Sequence, residues 1–414
     1  MDHATIEAAL TALRGEPSRA LDRDCDILAN RLADTGVEPQ FKVGSADFAA
    51  DPFLICADAY WRRRHLDEPT LRTAVECAGW LDEHVDAEFQ RAIREKWSLG
   101  YGFITRDTVQ SAGEIADLTA DVLEGRDPDC SRAYFAVLYH AGKLRANLCF
   151  DELHQFLESS PLAWAAGPFR DDALFTALLS FAAFGSHRIT EARARELLDH
   201  AWHAPARTFA VIDVALNGLA VSAPFPAQGE LLTSRAGEAL AEFPEAFLFH
   251  QRLALGRYLL GEHDAALESI DRALALLPAT GWRSSQKLIL EQFITQREAI
   301  LSGRTVAHLT ATVEQLSADQ RRQLRRHRQA MAALVSSVRR NMLRSVELVT
   351  LFAAIIAFAV GSLNVTLNGN LALHDRIWIL VVSGGMLLLF ALTVVGGTWL
   401  ITRSLPDPDI EYEE

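Results

Sequence analysis

Two long apolar spans near the end of the chain constrain its fold more than any other feature. The span from Ile377 to Ile401 has 25 residues without a charge, enough for a tilted helix to cross a hydrocarbon core of ~30 Å. The span from Leu348 to Leu363 has 16 apolar or small residues. Because the turn from Asn368 to Arg376 is too short for a domain, the two spans predict a transmembrane helical hairpin over residues 347–403.

Aromatic and small residues predict how this hairpin lies in the bilayer. Trp378 and Trp399 are 21 residues apart, which at ~1.5 Å per residue is about one bilayer thickness, so they are expected to form an interfacial belt. Small residues, which allow helices to approach closely, share one face of each span: Ala353, Ala357 and Gly361 in the first, and Gly385 and Gly396 in the second. These faces either pack the hairpin against itself or also assemble several hairpins. Neither span carries a charge pair, which argues against a selective ion pathway.

An arginine-rich segment precedes the first span. Residues 306–346 contain no Gly or Pro and predict an amphipathic juxtamembrane stalk helix. Gln320 and His327 interrupt its heptad pattern, so we expect the stalk to pack on its own domain or loosely on a neighbour, with self-association as the alternative. Its arginines are expected to contact anionic lipids, or to bind the acidic body or the acidic tail, residues 404–414, in a regulatory contact. They are Arg321, Arg322, Arg325, Arg326, Arg328, Arg339, Arg340 and Arg344.

The charge distribution predicts the side of the membrane on which the rest of the chain lies. The stalk arginines outnumber Arg376 in the turn, so the positive-inside rule predicts that both chain ends are cytoplasmic. The N-terminal residues lack the apolar stretch of a secretory signal, so insertion is expected to depend on the two spans. A preference for Arg over Lys and a high Ala content suggest a bacterial protein, and hence a bacterial inner membrane.

The remainder of the chain is acidic. The net charge is -14; residues 306–414 contain 10 Arg and 9 Asp or Glu, a balance of +1, which leaves -15 for residues 1–305. An acidic body with few lysines argues against a nucleic-acid partner. The five cysteines are widely spaced and contain no CxxC pair, which predicts reduced thiols, in agreement with a cytosolic domain.

Helical periodicity runs through this acidic part and predicts an all-α fold. No stretch shows sustained strand alternation. Proline at Pro52, Pro69 and Pro205 is expected in first helical turns, and Gly303 is expected to follow the end of a helix near Leu301. Residues 1–160 are predicted to form an N-terminal helical region.

One stretch has a more specific pattern. Large and small residues alternate here at fixed spacings: Leu253, Ala254, Tyr258, Gly261, Ala266, Leu267, Ile270, Ala273 and Pro278. Residues 247–280 therefore resemble a tetratricopeptide repeat (TPR), although Ala254 stands where the family prefers Gly and His250 where it has an aromatic residue.

This resemblance implies TPR-like helical repeats over residues 161–305 and a concave face that binds a protein partner. The expected groove residues are Leu253, Arg257, Tyr258 and Arg272. The family has no catalytic residues to transfer.

The remaining polar clusters do not predict chemistry. Asp199, His200 and His203 lack a further metal ligand at a set spacing, and Cys149, Asp151 and His154 lack an oxyanion donor. The sequence contains no P-loop, dinucleotide or nucleophile-elbow motif. We therefore expect no enzymatic activity, no cofactor and no metal.

Two functions agree with this organisation. The first is a membrane-anchored cytosolic scaffold or sensor that binds a protein partner through its TPR-like domain. The alternative is a membrane-disrupting effector, for example in antiviral defence, that is triggered through its cytosolic domain and oligomerises through its transmembrane hairpin.

Overall fold

The computed structural model describes residues 3–13, 17–123, 129–205, 207–277, 283–367 and 373–404. Within these ranges the chain is all-α, with no strand and a single isolated β-bridge between Val43 and Val85. Pro278, part of the turn before the second span (368–372) and the tail from 405 lie outside them.

The helices follow one another through most of the chain. In order they are α1 His3–Ala12, α2 Arg19–Thr35, α3 Pro52–Asp67, α4 Leu71–His84, α5 Ala87–Ile104, α6 Ala112–Leu123, α7 Cys130–Ala146, α8 Phe150–Ser159, α9 Pro161–Ala165, α10 Ala173–Gly185, α11 Glu191–Trp202, α12 Phe209–Val221, α13 Gln228–Glu242, α14 Phe247–Leu259, α15 His263–Ala275, α16 Arg283–Leu367 and α17 Leu373–Ser404. A 3₁₀ turn, Gly167–Asp171, precedes α10. The chain divides into two compact units, Met1–His308 and Leu309–Glu414, with the boundary inside α16.

Short polar residues cap many of the helices. Asp51 accepts a hydrogen bond from the Phe53 N–H at the start of α3, where Pro52 takes the first helical position as predicted. The other two expected starts, at Pro69 and Pro205, are wrong by two and four residues. Thr70 caps α4 and Thr208 caps α12, each through its hydroxyl, so a threonine rather than a proline determines where these helices begin.

The N-terminal core of the first unit is built around aromatic side chains and a close helix crossing. Trp61 and Trp97 are fully buried, and the Trp97 ring stacks on Trp80 at 5.9 Å. Helices α5 and α7 cross through Gly102 and Gly142. A Cβ on Gly102 would lie 2.4 Å from the backbone oxygen of Tyr139, so only glycine permits this approach.

The second half of the first unit consists of successive helix hairpins. Helices α10, α12, α14 and α16 begin at Ala173, Phe209, Phe247 and Arg283, which are 36 to 38 residues apart. Each of the first three packs against the helix that follows it in the chain. Within the α14–α15 hairpin Ala254, Ala266 and Ala273 are fully buried, and their small size lets the two helices approach closely.

The expected helix end at Gly303 is wrong. Helix α16 continues through this position for 85 residues in all. A Cβ on Gly303 would lie 2.8 Å from the Tyr258 ring and 3.0 Å from the His263 ring. Glycine is therefore used here for close packing within a helix, and not for a left-handed turn after one.

The second unit contains the apolar spans. α16 and α17 are both long and apolar enough to span a membrane, and their most apolar stretches are 6% and 0% buried within the protein. Low burial distinguishes them from core helices of similar composition.

Candidate partner-binding groove

A groove of about 1320 Å³ opens within the first unit. It is lined by α2, α3, α5, α7, α12, α14 and the first turns of α16. Small-molecule pockets usually measure ~300–1000 Å³, so this groove has room for a longer ligand. Its wall combines apolar side chains with three groups of charged residues.

One end of the groove is acidic. Asp22 and Asp26 of α2 and Asp58 of α3 lie here with Arg62. The Arg62 guanidinium bridges Asp26 and Asp58, with N–O distances of 2.9 Å to each, and the Tyr101 hydroxyl donates to Asp58 at 3.0 Å. Burial raises the pKa of Asp26 despite this arginine.

A buried carboxylate lies at the middle of the groove. Glu95 of α5 accepts hydrogen bonds from the Thr208 hydroxyl at 2.6 Å and from Arg91 Nε at 3.0 Å. Arg91 also pairs with Asp172 at 3.1 Å. Thr208 therefore has two roles, because it caps α12 and ties that helix to α5. Burial raises the pKa of Glu95, and its two donors oppose that rise.

The opposite end of the groove is basic and incompletely paired. Arg145 of α7 pairs with Asp213 of α12 at 3.1 Å. Arg252 of α14 donates from Nη2 to the Asn217 amide oxygen at 2.6 Å, but its buried Nε has no hydrogen-bond partner. Among the described residues no carboxylate lies within 4.0 Å of Arg252. Desolvation lowers the pKa of Arg252. The positive charge of Arg145 lowers it further, whereas the negative charge of Asp213 raises it.

Arg145 therefore has a carboxylate partner, Asp213, and Arg252 has none in the described part of the chain. A buried guanidinium without an anionic partner costs free energy that an incoming anion would recover. Gln251 and Gln292 line the same end and add amide groups that can bind a peptide backbone. The geometry suits a chain that presents a carboxylate to Arg252.

No protein-family model matches the sequence, and neither a curated protein nor a solved structure matches it. The resemblance of residues 247–280 to a TPR therefore remains a prediction.

The four groove residues predicted from that resemblance do not line the groove. Leu253 is half-buried against the core of α12 and α13, and Tyr258 packs at the α15–α16 side of the hairpin. Arg257 donates to the Ala265 carbonyl and the Ser269 hydroxyl across the hairpin, and Arg272 is exposed. Whether these four residues bind a partner remains a prediction.

The groove residues of α14 lie on a neighbouring face of the helix. Leu248, Gln251 and Arg252 line the groove, and their spacing of three and four residues places them on one helix face. Arg252 and Leu253 are adjacent in sequence but ~100° apart around the helix. The repeat pattern does not indicate this face, and the signal that could have revealed it is an arginine within a largely apolar helix.

The minor polar clusters have local partners. His203 Nδ1 hydrogen-bonds the backbone oxygen of Asp199, and the Cys149 thiol donates to the Asn147 carbonyl. All five cysteines are free, and burial raises the pKa of the Cys25 thiol to about 12. Across the described ranges no group of three metal-ligating side chains is close enough to hold an ion.

The residues predicted to contact the membrane are on exposed helix surfaces. The eight stalk arginines are exposed on α16, and Trp378 and Trp399 are exposed on α17. Ala353 and Ala357 are also exposed.

The predicted packing glycines face open space. A Cβ on Gly361, Gly385 or Gly396 would meet no atom within 4 Å. A different glycine of α17, Gly384, faces the Phe358 ring of α16 at 3.4 Å. Within the described ranges, Gly361, Gly385 and Gly396 therefore make no close helix contact.

Proposed function

We propose that this protein is a membrane-anchored scaffold or sensor whose groove binds an extended, carboxylate-bearing segment of a protein partner. The observation that carries this proposal is Arg252, a buried guanidinium with an unpartnered Nε at the wall of a large groove. Binding, and not catalysis, is the proposed activity.

A protein segment fits the groove better than a small metabolite. The volume exceeds that of ordinary small-molecule pockets, and the lining residues come from helices spread between α2 and α16. The lining contains both apolar side chains and amides, which suit the side chains and backbone of an extended peptide. The acidic end beside Asp22 and Asp26 favours a basic group on the same ligand, which would fix its direction.

The carboxylate would account for much of the affinity. Hydrogen bonds to charged groups contribute ~1.5–3 kcal/mol each, which corresponds to about 10- to 100-fold in affinity. Arg252 can provide such bonds without losing a competing partner, whereas Arg145 is already paired with Asp213.

The two apolar helices would hold the binding unit at a membrane. We propose a bacterial inner membrane, with the stalk arginines at the anionic cytoplasmic leaflet and both chain ends in the cytoplasm. Retention of the full chain in membranes after alkaline extraction, and its release when α17 is deleted together with residues 348–367, tests this anchoring.

Photo-crosslinking in cells tests the binding site. Gly100 lies in the groove wall, is exposed, and has no atom within 4 Å of a Cβ position. Position 100 is therefore suited to a photoreactive phenylalanine analogue, because a Cβ there meets no neighbouring atom. Gly237 on α13 has the same open surroundings outside the groove and gives a matched control.

We expect a protein adduct from the probe at position 100, no such adduct at 237, and loss of the adduct in an Arg252→Met background. Identical adducts at both positions, or an adduct that persists without Arg252, would contradict the proposed site.

A second candidate function is the triggered membrane-disrupting effector. The observation that favours it is the open space at Gly361, Gly385 and Gly396, which leaves glycine faces available for assembly of several hairpins. Overexpression should then collapse the membrane potential, and Gly385→Leu or Gly396→Leu should prevent the collapse. An unchanged potential at high expression with a known trigger would reject this function.

A further inference from the structure

The stalk part of α16 has a second periodicity that a heptad description does not capture. Large apolar residues recur every 11 residues along it. One set contains Val313, Leu324, Val335 and Val346, and a second contains Leu309, Met331 and Met342. These side chains are exposed by 49% to 70%. An 11-residue repeat corresponds to about 3.67 residues per turn, so these positions form a nearly straight stripe along a helix.

A third set completes the stripe. Leu316, Val338 and Val349 lie 22 and 11 residues apart, and His327 occupies the position between the first two. Gln320 similarly interrupts the set of Leu309 and Met331. Gln320 and His327 therefore lie two helical turns apart on the stripe, on either side of Leu324. We call this part of the otherwise apolar stripe the polar layer.

The charged residues avoid the stripe. Each Asp, Glu and Arg between Leu309 and Val349, including the eight stalk arginines, occupies another position of the 11-residue repeat. A second helix could therefore lie along the stripe without bringing arginines into the contact. This separation of apolar and charged positions is typical of a self-associating helix and not of a helix solvated on all sides.

The stripe also continues into the apolar span. Eleven residues after Met342, Val346 and Val349 come Ala353, Ala357 and Val360. The water-exposed contact and the small-residue face of the span therefore lie along one line of the same helix. Small residues allow close helix approach where the hydrophobic effect between helices is absent.

We propose that a second copy of this chain covers the stripe, in parallel and in register, through a right-handed supercoil over residues 309–360. A copy of this chain carries the same 11-residue repeat, and insertion with the same topology places identical residues at the same depth. Register follows because Gln320 and His327 then face their own counterparts. The right-handed sense follows from the 11-residue repeat. The proposal relies on the proposed membrane insertion only for the parallel alignment.

Cysteine scanning in membranes tests this contact. The half-buried Cys130 and Cys149 are first replaced by serine, and single cysteines are introduced between positions 324 and 349. Val335→Cys is on the stripe, and Ser336→Cys, one residue further, is the matched control. Oxidation should yield at least ~10-fold more dimer from the former, because a disulfide needs Cβ atoms ~3.8 Å apart.

The period of crosslinking identifies the geometry. We expect maxima at the stripe positions 324, 331, 335, 338, 342, 346 and 349. A left-handed heptad shares 324, 331 and 338 with the stripe, so maxima at 334, 341, 345 and 348 in place of 335, 342, 346 and 349 would overturn the proposed supercoil. Equal or absent crosslinking at positions 335 and 336 would overturn the contact itself.

Polar-layer variants provide a readout that misfolding cannot imitate. Gln320→Leu together with His327→Leu should increase the crosslinked fraction of the Val335→Cys protein, since the polar layer reduces stability. A decrease would contradict the placement of these residues in the contact. If the chain fractionates as soluble but crosslinks with the 11-residue period, the membrane proposal fails and this inference stands.

Discussion

The crossing of α5 and α7 gives a sharp prediction, because two glycines of α5 have opposite surroundings. A Cβ on Gly102 would lie 2.4 Å from the Tyr139 carbonyl oxygen and 3.0 Å from the Gly142 Cα. Both of these atoms belong to the α7 backbone, which cannot move as a side chain can. A Cβ on Gly100 would meet nothing within 4 Å.

The two alanine variants should therefore shift stability in opposite directions. Replacing a helical Gly by Ala contributes ~0.5–1 kcal/mol of intrinsic helix stability at either site. Overpacking costs ~1–3 kcal/mol and occurs only at position 102. We expect Gly100→Ala to stabilise the chain by ~0.5–1 kcal/mol and Gly102→Ala to destabilise it by up to ~2 kcal/mol.

Urea unfolding of the full chain in detergent, followed by far-UV circular dichroism, measures both effects. The cooperative loss of helix signal comes from the unfolding of the first unit. The slope of its free energy of unfolding against urea concentration should be the same in both variants and in the native chain. A stabilising Gly102→Ala, or equal shifts for the two variants, would refute the close crossing of α5 and α7 and with it the shape of the groove that they line.

Two further predictions concern buried charge. Burial lowers the pKa of His65 to about 3 and of His140 to about 4, so between these values and ~6.5 the unfolded chain binds more protons, and stability falls as the pH falls through that window. Each histidine should lower the free energy of unfolding by ~2 kcal/mol at pH 5 relative to pH 7.5. His140→Phe should therefore remove about half of the change of the unfolding midpoint with pH. An unchanged dependence on pH would contradict the burial of His140 in its neutral form. Arg252→Met should leave the stability measured by thermal unfolding unchanged or raise it by ~1–2 kcal/mol. The substitution removes a buried charge that has no anionic partner, and it loses one hydrogen bond to Asn217. A loss of several kcal/mol would mean that Arg252 stabilises the fold and does not bind a ligand.

Local features of the sequence predicted much of the fold. Helical periodicity and capping chemistry need only neighbouring residues, so the all-α architecture and the start of α3 at Pro52 followed directly. The apolar spans were equally visible, because length and composition alone define them.

Features that depend on distant residues could not be predicted. Glu95 and Thr208 meet across 113 positions of sequence, and the groove combines side chains from Asp22 to Gln292. Lys143 is another example. Its buried ammonium donates to two backbone carbonyls and to Gln110, although nothing near it in sequence indicates that it is a core residue.

Gly303 shows how one residue type can mislead. A glycine after a helical segment usually indicates a C-terminal cap, and the sequence analysis interpreted Gly303 in that way. The tertiary contact with Tyr258 and His263 determines its role instead. That contact depends on the packing of α14, α15 and α16, which periodicity within α16 does not reveal.

The affinity of the groove for an acidic peptide tests the central claim most directly. Random peptides selected on the full chain in detergent micelles provide the probe, and its affinity is then measured for three forms of the protein. The forms are the native chain, Gly100→Trp, which adds bulk to the groove wall at a position where a Cβ meets no atom within 4 Å, and Gly237→Trp, which adds the same bulk outside the groove.

The selected peptides should carry a carboxylate. Amidation of the peptide C-terminus, and exchange of Asp for Asn or of Glu for Gln in the peptide, identify whether this carboxylate is the terminal one or belongs to a side chain. We predict that Gly100→Trp weakens binding by at least ~10-fold, about 1.4 kcal/mol, and that Gly237→Trp leaves it unchanged. Equal affinities for all three forms, or peptides that bind without any carboxylate, would contradict the account.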